Sequence, residues 1–459
     1  MAKTKHNGRR NGEAAHAMTP QAAYFLSLSL ENVRCFGPKQ TLDLSDGNGK
    51  PARWTIILGL NGTGKTTILQ ALAGFELLEI SRGIDGSSDK DSRLLYSPYS
   101  KPLTYPRGYE TERKALMIAK TGLSCKLTDV PTRTNISTID LVKESETGFR
   151  SSCTGINELN RFWCCAYGAS RRMGYFTQNN YRYDDPTASL YTDEVHLRNV
   201  EDWLIQLDYS TKASTEGAQQ QRLDQVKKML IEIMPDREVE GIRLVAGTGP
   251  NPQARTEFKT PYGWVPLRHL GYGYQTLIAW MVDFASRLVE RYPDSPNPLA
   301  EPAVVLVDEI DLHLHPTWQR KLMDVLTERF PNTQFIATAH SPLVVQAAAD
   351  ANLAVLRREG DHVIIDNDVD NIRNWRIDQI LTSDLFGLET ARPPQIEILL
   401  LERKKLLTKA KLTESDKRKI KEIEEEIGEL PGGETAQEVK EREEMRKTLE
   451  LLKERRLAQ

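Results

Sequence analysis

Apolar and polar positions begin to alternate at Phe25. In FLSLSLENVRCF, Phe25 and then Leu26, Leu28 and Leu30 fall into an extended register that predicts a strand. A second strand, WTIIL over 54–58, runs straight into GLNGTGKTTILQALAG, whose second half has helical spacing at Ile68, Leu69 and Leu72. Residues 80–112 are rich in Gly, Ser, Asp, Pro and Tyr and predict a long loop, followed by short strands near 115–119, 123–127 and 138–142. Helical spacing returns at 201–208 and 222–234. GIRLVAG and RTEFKTPYGWVPL then predict strands with a turn at Tyr262-Gly263, and a helix is expected over 274–291. The run AVVLV at 303–307, the segment DEIDLHLHP, a helix over 317–330 and the strand QFIATAH complete the pattern. Such short apolar runs suit parallel strands buried on both faces.

From about Pro393 the character changes. Residues 402–459 hold 16 Lys/Arg against 15 Asp/Glu. Ile396, Leu399, Leu400, Leu406 and Leu407, then Ile420, Ile423 and Ile427, fit amphipathic helices; Pro431-Gly432-Gly433 breaks them, and a last helix carries Leu449 and Leu452. The expected organisation is therefore a flexible leader over 1–22, a head over 23–390 with an insertion at about 76–262, and a charged helical C-terminal region over 391–459.

The chain has 459 residues, 39% of them hydrophobic, enough for a substantial core. Its 61 Lys+Arg against 64 Asp+Glu give a net charge of −3, which excludes a polycation that coats DNA along its length but not a local basic patch. No apolar run approaches the roughly 18 residues of a membrane span. The five cysteines form neither a CxxC pair nor an even framework, and read as reduced thiols of a cytoplasmic protein.

Candidate chemistry concentrates in two places. Gly59-Leu60-Asn61-Gly62-Thr63-Gly64-Lys65-Thr66 matches GxxxxGK[ST] in full, between a strand and a helix, with Thr67 beside it. Glycines let a backbone wrap a triphosphate with its N–H groups inward, and the helix N-terminus adds partial positive charge. Lys65 is expected at the β- and γ-phosphates and the Thr66 hydroxyl on Mg²⁺. The apolar strand at 304–307 ends in Asp308-Glu309, at the edge where open α/β sheets bind ligands. Asp308 suits Mg²⁺, and Glu309 suits orienting or deprotonating the attacking water. His340, at the end of another strand, is a candidate γ-phosphate sensor. His313 and His315 fit a packed turn better than a metal site.

Four elements in order resemble the ABC-type ATPases, and especially the SMC, RecF and OLD branch: the P-loop, LGYGYQ at 270–275, VLVDEIDLHLHP and TAHSP. LENVRCFGPKQTLDL ahead of the P-loop points to that branch rather than to a transporter subunit. The resemblance implies an α/β, SMC/RecF-like ATPase head with a mixed P-loop sheet, an antiparallel β subdomain and a helical lobe, plus the charged tail. It also implies ATP and Mg²⁺ as ligands and a dimer that sandwiches ATP, with Gly271 and Gly273 completing the opposite subunit's site. Here Gly271 replaces the usual Ser and Tyr272 the first Gly of that signature, which leaves the speed of hydrolysis open. The glutamine that usually couples Mg²⁺ to the lobe has no clear counterpart. CAYGASRR at 165–172 is the candidate segment, with Gln178 nearby, and Arg171 or Arg172 falls either near phosphate or on an exposed basic loop.

At a finer level, YGASRRMG, WLIQLDY, the stretch from VPLRHLGYGYQ to TAHSPLVVQ and NWRIDQILTSDLFGL resemble the ATPase subunits (PtuA) of Septu-type anti-phage defence systems, also used in some retrons. That resemblance implies a separately encoded HNH-type nuclease partner and no membrane. The alternatives are a RecF- or SMC-like repair ATPase and, less well matched, a transporter subunit. DNA contact through the lysines and arginines of 404–419 stays open beside a merely solvated helix. Asp366-Asn367-Asp368-Val369-Asp370 reads as an acidic surface turn, so nuclease activity is not expected of this chain itself.

Overall fold

The apolar runs of the sequence pair into the centre of a six-stranded sheet in the computed structural model of the chain. The model describes residues 23–74, 121–129, 136–143, 149–154, 163–174, 185–213, 218–233, 239–247, 254–269, 272–348, 350–369, 372, 374–409 and 412–427. The strands are β3 (Trp54–Gly59), β7 (Cys164–Tyr167), β13 (Ala303–Val307), β14 (Thr333–Thr338), β15 (Asn352–Glu359) and β16 (His362–Asp366). They lie in the order β16-β15-β3-β14-β13-β7, all parallel except β16, which pairs antiparallel with β15.

The second sheet is antiparallel, in the order β2-β1-β4-β5-β6. It comprises β1 (Ala23–Glu31), β2 (Gln40–Asp43), β4 (Thr121–Asp129), β5 (Ile136–Lys143) and β6 (Phe149–Thr154). Strands β4 and β5 cover two of the three expected short strands. The third, at 115–119, lies outside the described residues, as do the leader, the 80–112 loop, Gln178 and the helix expected past Pro431. Strand β6 has no clear alternation in FRSSCT and is not legible from pattern.

Alternation sorts the parallel strands' side chains between two cores. Ile57, Val304, Leu306, Ile336 and Ala354 face α1 (Lys65–Ala73) and the antiparallel sheet. Trp54, Ile56, Tyr167, Val305, Val307 and Phe335 face the other side, with α4 (Tyr272–Arg291), α5 (Pro316–Arg329) and α6 (Pro342–Ala347). Strands buried on both faces carry continuous apolar runs for this reason. Helix α4 is buried along much of its length, from Leu277 to Leu288, and its Asp283 is held by three donors. These are Tyr167 Oη at 2.9 Å, Arg287 Nε at 2.7 Å and the Arg198 backbone N–H at 3.1 Å. Burial and then the adjacent Asp283 charge push the Tyr167 hydroxyl well above its ordinary value.

The remaining described pieces are β8 (Arg172–Met173) paired with β9 (His196–Leu197), helices α2 (Val200–Ala213) and α3 (Ala218–Ile233), and a three-stranded sheet of β10 (Gly241–Val245), β11 (Arg255–Thr260) and β12 (Gly263–Pro266). Beyond β16 come α7 (Ile377–Leu381), α8 (Pro394–Leu407) and α9 (Glu414–Ile427). The last two pack on each other and bury Leu406 and Ile423; Ile396, Leu399, Leu400, Ile420 and Ile427 of the expected stripes are half-buried, while Leu407 and the off-stripe Ile398 and Leu401 stay exposed. No helix among the described residues is long and apolar enough to cross a membrane.

Candidate nucleotide site

Strands β3, β14 and β13 are neighbours, so their C-terminal ends meet at one edge, where open α/β sheets bind ligands. A cleft of about 450 Å³ opens there, between the P-loop after β3, the acidic pair after β13 and the turn after β14. Its described lining is Arg34, Cys35, Asn61, Gly62, Gly64, Lys65, Thr66, Thr67, Asp308, Glu309 and His340. The sequence motifs at the two ends of the head are thus one site.

The P-loop is shaped by close backbone approaches. Gly64 has φ +87°, and a Cβ there would sit 2.4 Å from Cys35 Sγ, so both conformation and packing require glycine. Gly59 and Thr63 stand behind the loop rather than in the cleft lining. At Gly59, φ is +150° and a Cβ would lie 2.8 Å from the Leu356 carbonyl oxygen of β15. Thr63 Oγ1 donates to the Leu60 carbonyl at 2.8 Å. The buried Lys65 ammonium donates to the carbonyls of Gly59 at 2.8 Å and Leu60 at 3.0 Å. Burial holds its pKa below the ordinary lysine value, against the charges of Asp308, Glu309 and Asp311.

The acidic pair is built with equal care. Thr66 Oγ1 donates to Asp308 Oδ2 at 2.7 Å, and Thr338 Oγ1 donates to Asp308 Oδ1 at 2.6 Å. Thr338 Oγ1 also accepts the Glu309 backbone N–H at 2.7 Å. Glu309 has φ +47°, a left-handed conformation that costs a non-glycine residue on the order of 1 kcal/mol or more and persists where its surroundings hold it. His340 is exposed at the rim, and its backbone N–H donates to Asp311 Oδ2 at 2.9 Å. His315 caps α5 by accepting the Thr317 N–H on Nδ1, and both His313 and His315 are exposed, so the turn they form is not the packed one expected.

Arg171 occupies neither of the two places expected of it. It is buried, and its Nη1 donates to the carbonyls of Gly168 at 3.0 Å and Asp308 at 2.6 Å, while Nη2 donates to the Glu309 carbonyl at 2.9 Å. Burial lowers its pKa to about 10, opposed by Asp308, Glu309 and Asp311, so it stays charged at neutral pH. Arg172 is the exposed one of the pair. Sequence reasoning gave Arg34, Cys35, Asp311 and Thr338 no role. Arg34 Nη1 donates to Thr67 Oγ1 at 3.1 Å and Gln70 Oε1 at 3.0 Å, tying the end of β1 to α1. Only the proximity of the NVRCF segment to a P-loop strand hinted at it. In the signature segment, Gly271 lies outside the described residues, and Gly273 falls in the first turn of α4, which starts at Tyr272 rather than at 274.

The residues present fit a magnesium-bound nucleotide. The paired oxygens of Thr66 and Asp308 suit a hard cation that otherwise takes water and phosphate ligands. No group of three or more His, Cys, Asp or Glu among the described residues forms a metal cage of its own.

A family model described as "AAA domain, putative AbiEii toxin, Type IV TA system" matches residues 171–346, and one described as "AAA domain" matches 27–84, so the two contain the whole described cleft. The chain is PtuA-like: it is 26% identical over 395 residues to the Septu protein PtuA of Bacillus mycoides (strain KBAB4), covering 84% of this chain and 48% of that protein. It is 37% identical over 172 residues to the Retron Vc95 probable ATPase of Vibrio cholerae serotype O1 biovar El Tor, covering 35% of this chain and 30% of that one. The chain therefore spans about half the length of the first relative, at 48%, and less of the second, at 30%. Among solved structures, the SMC head domain from Thermotoga maritima aligns over 75% of this chain and 99% of that chain, at 17% identity and a TM-score of 0.38.

Proposed function

We propose that this chain is the ATP-hydrolysing subunit of a cytoplasmic anti-phage defence complex, closing as a dimer around ATP and governing a separately encoded HNH-type nuclease. The observation that carries the ATPase reading is the cleft itself. One edge of one sheet brings together a P-loop ammonium, a hydroxyl–carboxylate pair suited to Mg²⁺, and a second carboxylate next to it. The defence assignment rests on the likeness to Septu and retron ATPases. The nuclease partner is inferred from that likeness alone.

In this reading the triphosphate lies along the amides of residues 61–66, with Lys65 turning from the Gly59 and Leu60 carbonyls to the β- and γ-phosphates. Thr66 and Asp308 would hold Mg²⁺, which when bound neutralises phosphate charge. The Glu309 carboxylate orients the attacking water and accepts its proton. His340 contacts the γ-phosphate from the β14 end. Gly273, in the first turn of α4, offers its backbone N–H to the nucleotide of the opposite subunit, with Gly271 assigned the same role from the motif alone.

The test is phosphate release by the purified chain with ATP and magnesium, alongside binding of a fluorescent ATP analogue. Lys65→Ala should weaken binding about tenfold or more. Glu309→Gln should keep binding and lose on the order of 100-fold in turnover. Equal turnover in wild type and Glu309→Gln removes Glu309 from its assigned role. A wild type that binds no nucleotide at millimolar concentration ends the reading.

A further inference from the structure

The Asp308–Glu309 turn is gripped from two sides, by Thr338 at the end of β14 and by Arg171 on the connector after β7. On one side Thr338 Oγ1 takes the Glu309 N–H at 2.7 Å. On the other, the two Nη atoms of Arg171 take the carbonyls of Asp308 at 2.6 Å and Glu309 at 2.9 Å. Between these grips Glu309 is kept at φ +47°, a conformation its side chain disfavours.

Arg171 is an expensive way to make such a grip. Its guanidinium is buried, makes its hydrogen bonds to carbonyls, and leaves Nε without a partner. Burying a charge with a donor unmade opposes folding. Stability alone therefore gives little reason for an arginine here. Its place in the chain gives a better one. Arg171 lies three residues past Gly168, on the connector that leaves β7 for β8. Strand β8 pairs with β9, which leads into α2, and β8 packs against α4. Tyr167, immediately before the connector, is hydrogen-bonded to Asp283 in the middle of α4. Any movement of α4, whose first turn carries Gly273, or of the α2 side therefore reaches the connector, and through Arg171 the backbone of Glu309.

We infer that Arg171 is a positioning residue for ATP hydrolysis: it sets the backbone of Glu309 according to the position of α4 and the β8–β9 segment, without touching the nucleotide. This rests on the hydrolysis reading above and adds to it the route by which the rest of the head commands the reacting site. Arg171 acts after nucleotide is bound, so its loss is read in kcat and not in affinity. It acts through Glu309, so its loss is silent when the Glu309 carboxylate is already gone.

Two substitutions test this. Arg171→Lys keeps the charge but cannot span three carbonyls. Arg171→Gln removes the buried charge and retains two N–H donors, which protects folding should the lysine variant fail to fold. Steady-state phosphate release and equilibrium binding of a fluorescent ATP analogue are measured for both, in the wild-type and Glu309→Gln backgrounds. The expected result is a kcat lowered tenfold or more, with KM and nucleotide Kd within about twofold of wild type and no further loss on the Glu309→Gln background. Three results would overturn the inference while leaving the ATPase reading standing. These are turnover within twofold of wild type in both variants, affinity falling by the same factor as turnover, or an equal further loss on the Glu309→Gln background. Absence of turnover in the wild type would remove both together.

Discussion

Tyr24 shows how one side chain's environment becomes a measurable property. Its hydroxyl donates to the Asn332 carbonyl at 2.7 Å, joining the start of β1 to the loop before β14. Burial, with the nearby Tyr292 adding and Arg53 opposing, raises its pKa from 10.0 to about 12. A folded-state pKa above the unfolded one means that the neutral hydroxyl contributes stability fully below the unfolded value and loses it as pH rises through the folded value. Stability should therefore fall between pH 10 and 12, and Tyr24→Phe should make the fall shallower; urea midpoints across that window measure it. The same scale explains what was legible in the sequence. Lys65, Thr66, Asp308 and Glu309 stand in contiguous motifs whose chemistry dictates their order, so they could be named before any fold was known. Thr338 and Arg171 act through hydroxyl and guanidinium contacts that exist only once β14 and the β7–β8 connector lie beside β13. Thr338 opens TAHSP and Arg171 lies in YGASRRMG, but neither motif by itself shows which backbone its side chain will hold.

Elements were legible where periodicity and burial agree. Strand β13 is an uninterrupted apolar run, β3 and β14 are short runs of mostly apolar and buried residues, and all three were placed within a residue or two; β6 and the one-turn helix α7 were not, because FRSSCT and IDQIL carry too little pattern. Sheet order was also hidden, since a parallel sheet can be threaded in several ways from the same strands. The junction of β3 with β15 is a point where the element itself can be tested. Gly59 closes β3 with φ +150°, and its missing Cβ is what lets the Leu356 carbonyl approach to 2.8 Å from where that atom would be. Gly59→Ala should destabilise the head by about 1–3 kcal/mol, read by chemical denaturation. Because the Gly59 carbonyl also holds Lys65 Nζ, the same variant should weaken nucleotide binding, although Gly59 does not line the cleft. Unchanged stability would mean that β3 and β15 part without cost, contrary to their parallel register from Thr55 to Gly59.

For the whole molecule, the decisive question is whether one head suffices. The described lining of the cleft comes from the segment after β1, the P-loop with the start of α1, and the ends of β13 and β14. Helix α4, with Gly273 in its first turn, is anchored at its middle, where Asp283 accepts from Tyr167 of β7 and from the Arg198 N–H just past β9. A second copy would bring that helix start to the open side, where its unsatisfied N–H groups and positive dipole end favour a γ-phosphate. Glu309→Gln, expected to bind ATP and turn it over far more slowly, should then accumulate as a dimer with ATP and magnesium and revert to the smaller species with ADP. Lys65→Ala should not dimerise under either condition. Gly273→Asp places a carboxylate against the phosphates of the opposite subunit, so it should preserve nucleotide binding by each head while abolishing the ATP-dependent dimer. Mass measured by light scattering separates these cases. A Gly273→Asp chain that still dimerises with ATP would move the interface away from α4, and a Glu309→Gln chain that binds ATP yet keeps one mass throughout would make each head a self-sufficient site.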